Sequence, residues 1–352
     1  MRKFILQVHL YIGLIAGLFL VLLGITGSIM AFEPEIDHVI HHRLSYVDRG
    51  DKTLSLAEIG RVVNTAFPAD TIVGYRLATS PDLSWQVELG GKVVFVNPYT
   101  AVILGTLIRP DHWDEWLNTI HQLHLRLAMR VAGDPGKKIV TWAVAGLLIL
   151  QLTGLFLWWR QKRVGIQWSK PSRRIWFDIH NSVGIVAYLF LLLLTITGLV
   201  MGFEKQTTPF FYRITNSQRG NGPDLNVPLS TGAVILPADS AVAIARRALP
   251  GAVPFDIPLP GPGGMYVIRC RFPEDLTPGG RSKVFIDPYS GKVLYAESSR
   301  TAPAGTRIVN MNRAIHTGDL LGIPSKIIMS LASLALVMLF VSGVAMWWNR
   351  KS

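Results

Sequence analysis

The sequence predicts an α-helical integral membrane protein with four transmembrane helices, internally duplicated, and two α+β lobes outside the bilayer. Three observations predict it. Of 352 residues, 49% are hydrophobic and 16% charged, with a mean hydropathy of +0.33, too apolar for an ordinary soluble domain. Four runs (4–32, 139–159, 177–203 and 327–348) are long enough to cross a bilayer core of roughly 30 Å, which takes about 20 apolar residues. The third observation is repetition. HLYIGLIAGLFLVLLGITGSIMAFE (9–33) and HNSVGIVAYLFLLLLTITGLVMGFE (180–204) share 14 of 25 positions without a gap, including the leading histidine, Ile-Thr-Gly and the closing Phe-Glu.

The elements follow in order. The first span (1–33) exceeds the roughly 7–15 apolar residues of a signal-peptide core, so it reads as a retained helix. Residues 34–138 form the first lobe with its segment leading into span two: a helix at 56–67 after Ser55, an alternating strand at 84–89, and VFVNPYT (94–100), a strand entering a proline turn before a second strand at 102–104. The second span (139–160) ends in Trp158-Trp159, an interfacial aromatic pair. The loop 161–176 is basic, with Lys162, Arg163, Lys170, Arg173 and Arg174 beside Arg160 and no acidic residue. Span three covers 177–204. The second lobe (205–324) repeats the first: a helix at 238–249, a strand at 266–272, VFIDPYS (284–290) and a strand at 293–295. Span four (325–348) ends in Trp347-Trp348. The repeat unit is helix, lobe, helix.

Charge sets the orientation. The basic loop, Arg2 and Lys3 at one terminus and Arg350 and Lys351 at the other are cytoplasmic by the positive-inside rule, which puts both lobes outside. The net charge of +12 is thus largely a topology signal, and no nucleic-acid partner is expected. The single cysteine, Cys270, excludes an intrachain disulfide and a cysteine-based metal cluster; its place on the apolar face of Val267–Phe272 reads as a packed core thiol.

Histidines carry the candidate chemistry. His9 and His180 hold the same place in the two copies, each begins an apolar run, and each is followed four residues on by a glycine, Gly13 or Gly184, that would let a flat macrocycle approach. Ionisable residues at membrane depth are costly and usually functional, so this pair is the candidate for axial ligation of one iron. A second pair precedes spans two and four: His316, with either His124 or, one helical turn earlier, His121. His124 is 30 residues before Gly154 and His316 is 27 before Gly343, a three-residue difference. The 24 residues from His9 to Glu33 extend about 36 Å, which separates the two pairs towards opposite membrane faces. His38, His41 and His42 lack a counterpart in the second copy and read as a solvated interfacial segment; His112 beside Trp113 and Trp116 reads as amphipathic surface, and Glu33 and Glu204 as helix-end carboxylates. No dinucleotide fingerprint or P-loop is present, so reducing power would come from elsewhere.

The two V-F-[VI]-[ND]-P-Y-[ST] turns resemble those of PepSY domains, and the H…G…T-G and G-x(3)-W-W spans resemble the PepSY-associated transmembrane helices, over nearly the whole chain. The resemblance extends to FoxB-type inner-membrane ferric-siderophore reductases. It implies b-type haem, which the two histidine pairs would make two, a bacterial inner membrane with the lobes periplasmic, and a ferric siderophore or other Fe(III) chelate as substrate. It also favours His124 over His121 as the partner of His316. The electron donor would be a quinol or a cytoplasmic reductase. No catalytic residue is assigned. The alternative is a membrane-anchored PepSY module that binds a periplasmic protein or peptidase without redox activity. A carrier has little support, because the spans hold no mid-membrane charged residue and no proline-broken helix.

Overall fold

The computed structural model describes residues 1–78, 80–108, 112–220, 222 and 234–349, with the side chains of 112–114 excepted. Arg350 and Lys351, and the side chains of His112 and Trp113, therefore lie outside the described residues. In chain order the elements are α1 (Arg2–Met30), α2 (Glu33–Ile40), α3 (His42–Ser45), α4 (Leu56–Ala66), β1 (Ile72–Arg76), β2 (Trp85–Leu89), β3 (Lys92–Val96), β4 (Ile103–Ile108), α5 (His112–Arg126), α6 (Pro135–Trp159), α7 (Ser172–Gly202), α8 (Glu204–Ile214), α9 (Ala238–Ala248), β5 (Val253–Pro258), β6 (Tyr266–Arg271), β7 (Ser282–Ile286), β8 (Val293–Glu297), α10 (Ala304–Thr317) and α11 (Ile323–Trp348). They form two compact units, one of residues 1–33, 115–214 and 308–352, the other of 34–114 and 215–307.

The first unit is a membrane bundle. Four helices, α1, α6, α7 and α11, are long and apolar enough to cross a bilayer. Their outward residues are large and apolar (Ile15, Leu18, Val186, Leu189 and Leu331 are all more than 60% exposed), which water would not tolerate but lipid tails do. Helix α1 packs on α6 and α11, and α7 packs on the same two. That ring sets α1 and α7 diagonally across the interior. Small residues allow the close approach of α1 and α11. A Cβ on Gly24 would meet the Ser333 carbonyl at 2.6 Å, the Ser330 hydroxyl donates across to the Ser28 carbonyl at 2.9 Å, and the Ser28 hydroxyl shares its proton between the Gly24 carbonyl of its own helix at 2.8 Å and the Ser330 carbonyl at 3.0 Å. The segments ahead of spans two and four belong with this bundle from Glu115 and Ile308 onward, rather than with the lobes as the boundaries at 138 and 324 had it.

The second unit departs from two separate lobes. Its eight strands form one antiparallel sheet in the order β4-β3-β2-β1-β5-β6-β7-β8, joined where β1 pairs β5 (Gly74 with Pro258, Tyr75 with Ile257, Arg76 with Asp256). Pairing these two strands leaves neither half with an open inner edge. Helices α4 and α9 cover the sheet, and Ile59, Val63, Ala241 and Ala245 are fully buried with Val87, Val94, Ile268 and Val284. Ser55 and Glu58 close a capping box on α4, and Asp239 of α9 accepts from the Leu56 and Ala57 amides at 2.8 and 2.9 Å. The two proline turns are built alike. Asn97 Oδ1 accepts from the Tyr99 amide and Asp287 Oδ1 from the Tyr289 amide, each at 2.9 Å. Each turn then needs a left-handed residue, supplied by Ala101 (φ 57°) in one and Gly291 (φ 72°) in the other.

Candidate functional site

Two histidine pairs meet inside the membrane unit. His9 and His180 face each other from the N-terminal parts of α1 and α7, their ring centroids 6.1 Å apart and their planes at 81°. His124 of α5 and His316 of α10 face each other with centroids 6.4 Å apart and planes at 59°. Two metal–imidazole bonds of about 2.0–2.1 Å, each extended by roughly 1 Å to the ring centre, put the centroids of two rings sharing one metal about 6 Å apart. Both pairs have that spacing.

Each of the four rings is received by a hydroxyl–glycine dipeptide on a neighbouring helix. His9 Nδ1 lies 2.8 Å from Thr153 Oγ1, His124 Nδ1 3.0 Å from Thr26 Oγ1, His316 Nδ1 2.8 Å from Thr197 Oγ1 and His180 Nδ1 3.0 Å from Ser342 Oγ. The residue after each hydroxyl is a glycine, and the ring lies over it. A Cβ would meet the imidazole Cε1 at 3.3 Å on Gly154, 2.9 Å on Gly27, 3.4 Å on Gly198 and 3.8 Å on Gly343.

Hydrogen-bond direction then fixes the tautomer. All four hydroxyls donate to the carbonyl four residues back in their own helix: Thr153 to Ile149, Thr26 to Leu22, Thr197 to Leu193 and Ser342 to Met338. A hydroxyl has one proton, so towards the histidine each acts as an acceptor. Nδ1 must therefore carry the hydrogen, and His180 confirms the direction, since its Nδ1 also sits 3.0 Å from the Leu339 carbonyl oxygen. Every Nε2 is left with a free lone pair. This is the arrangement in which an outer acceptor orients a ligating imidazole and raises its basicity. At the second pair burial also favours the neutral ring: desolvation first, then the neighbouring His121, pushes His124 down to about 4, and desolvation first, then His124, pushes His316 down to about 3.

Around His9 and His180 the bundle forms a half-open cavity of about 740 Å³, within the roughly 300–1,000 Å³ of small-molecule and cofactor sites. Its walls are mainly apolar, with Leu147, Leu191 and Leu336 among them, and Gly13 and Gly184 line it as well. Among the described residues no three His, Cys, Asp or Glu side chains gather into a group able to hold a bare metal ion. Two-histidine sites instead suit an iron whose remaining ligands come with a macrocycle.

The other candidates go elsewhere. His121 faces Glu33 at 3.6 Å, not His316. His42 stacks on Tyr46 with centroids 4.7 Å apart, His38 meets the same ring edge-on at 6.1 Å, and His41 lies 3.8 Å from Asp37. Cys270 is fully buried in the sheet core, where desolvation pushes its thiol up to about 12. The hydroxyl–glycine receivers were the part sequence reasoning missed. The signal was present, as a Thr-Gly or Ser-Gly dipeptide in each of the four spans.

A family model described as the PepSY-associated TM region matches residues 6–350. No curated protein matches the chain.

Proposed function

The chain belongs to the PepSY-associated TM region family, and from that premise we propose that it is a haem-containing inner-membrane reductase. In this reading it holds two b-type haems, one between His9 and His180 and one between His124 and His316, and passes electrons outward to an Fe(III) siderophore or similar chelate. The observation that carries the reading is the pair of facing imidazoles, repeated twice, with ring centroids 6.1 and 6.4 Å apart and every Nε2 free. Haem supplies one-electron transfer when bound. The protein's residues do the rest. Thr153, Ser342, Thr26 and Thr197 hold the four rings in the ligating tautomer, the glycines beside them leave room for the rings, and leucines give the cavity at His9/His180 an apolar lining.

Direction comes from spacing and charge. On α1, His9 lies 17 residues before Thr26, the receiver of His124, and on α7, His180 lies 17 residues before Thr197, the receiver of His316. Seventeen residues extend about 26 Å along a helix, most of a bilayer core. With the arginine-rich ends cytoplasmic, a quinol or cytoplasmic reductase would deliver electrons at His9/His180, and the chelate would receive them near His124/His316. One electron converts chelated Fe(III) to Fe(II), which hard oxygen donors hold less tightly, and the metal is released.

The test is a dithionite-reduced minus oxidised spectrum of detergent-purified protein with pyridine-haemochrome quantitation. The expected result is a b-type spectrum with about two haems per chain, falling by about one in His180→Ala. Protein from haem-replete cells without a Soret band overturns the reading in favour of a membrane-anchored binding module.

A further inference from the structure

We propose that Arg2 and Arg173 form a matched pair of guanidinium clamps for the two propionate carboxylates of the haem at His9/His180, an assignment that rests on the haem reading above. Both side chains line the cavity that holds His9 and His180. Both also stand seven residues before their histidine, Arg2 before His9 and Arg173 before His180. Seven residues make two helical turns, so arginine and histidine share a helix face about 10 Å apart along the axis. The repeat thus carries two features, a ligand and a cation at fixed distance from it, and the cavity brings all four side chains to one space.

Their pairing separates them from the other basic residues. Arg174, the third guanidinium lining the cavity, is held by the buried Asp178 at 3.0 Å. Among the described residues neither Arg2 nor Arg173 has an acidic partner. The positive-inside rule explains basic residues at this end of the bundle but not their place at the cavity. Lys3, Arg160, Lys162 and Arg163 satisfy the rule equally, and none lines it. A porphyrin has an apolar edge and an edge with two carboxylates. Leu147, Leu191 and Leu336 line the cavity and would receive the first, and the carboxylates would be left without a counter-charge unless the arginines met them. Arginine suits that task, since its planar fork matches a carboxylate with two parallel hydrogen bonds.

The experiment uses haem-free full-length protein in a His124→Ala background, so that one intact pair remains, titrated optically with haem and with haem whose two propionates are methyl esters. Unsubstituted arginines should favour haem over the diester by at least tenfold. Arg2→Gln/Arg173→Gln should lose that preference, each single variant should lose part of it, and Lys3→Gln/Arg160→Gln, with the same loss of charge, should keep it. A preference that survives in Arg2→Gln/Arg173→Gln overturns the clamp, as does an equal loss in the Lys3/Arg160 control. Loss of co-purifying phospholipid phosphate with unchanged haem preference would assign the arginines to lipid headgroups instead. Equal binding of haem and diester before any arginine is changed overturns the clamp alone, whereas binding of neither sinks the haem reading itself.

Discussion

In the proposed haem reading, adding one methyl group to the glycine beneath His124 should empty one of the two sites and leave the other filled. A Cβ on Gly27 would stand 2.9 Å from His124 Cε1. Carbon atoms settle at about 3.5–4.0 Å, so the ring must retreat by about 0.6–1.1 Å. Nε2 is bonded to Cε1 and moves with it, while a metal–ligand bond tolerates about 0.2 Å. Gly343 provides the control within the same fold. Its Cβ would lie 3.8 Å from His180 Cε1, an ordinary contact that asks nothing of the ring. Gly27→Ala should therefore purify with about one haem per chain and lose one step of a potentiometric titration. Gly343→Ala should keep about two haems and both steps. Folding is not the confounder, since alanine is the better helix former by about 1 kcal/mol. If the two variants behave alike, or if Gly343→Ala is the one that loses haem, glycine clearance does not hold these rings.

Three further outcomes are expected. Thr153→Val removes the hydroxyl acceptor of the His9 Nδ1 hydrogen and leaves it the Leu150 carbonyl alone, which costs about 0.5–1.5 kcal/mol. Haem retention, followed by transfer to apomyoglobin, should fall by roughly 10–100-fold, the midpoint potential should rise as the imidazole becomes less basic, and Thr153→Ser should restore both. His121→Ala, which removes a ring bound to Glu33, should keep about two haems per chain, whereas His124→Ala should lose one. Cys270 keeps its proton at pH 8 because burial pushes its thiol up to about 12, so maleimide should label it only after denaturation, with one equivalent per chain followed by mass spectrometry.

Much of the membrane unit was legible in the chain because lipid imposes a pattern that needs no tertiary context. The helices nonetheless begin earlier than the apolar runs. Helix α6 starts at Pro135, where Asp134 Oδ1 accepts from the Lys137 amide at 3.3 Å, and α7 starts at Ser172. Their polar first turns continue the helix beyond the span that hydropathy marks. The join of the sheet was illegible. Strand β5 contains Pro254 and Pro258, which argue against a strand, and it accommodates Pro254 next to a register shift. The histidine pairs were legible only as far as repetition reached. It singled out His9 and His180, but His121 and His124 lie three residues apart on one face of α5, and only packing against Thr26 and Gly27 separates them. The glycines four residues after each membrane histidine drew attention, while those that meet the rings lie on other helices.

The direction of four hydrogen bonds has a consequence for energy as well as for geometry. Each hydroxyl that receives a histidine has committed its proton to a carbonyl of its own helix, so none can pass a proton to or from the ring it holds. Were Nε2 also bound to a metal, none of these four imidazoles could act as a proton relay. In the proposed reading an electron therefore moves between the pairs as bare charge, uncompensated by a proton. Such a movement responds to the voltage across the membrane, by up to about 2.3 kcal/mol per 100 mV for a full crossing. A cell interior held negative would push the electron outward and assist reduction on the far side. Dissipating the voltage should slow the protein even with donor and chelate in excess.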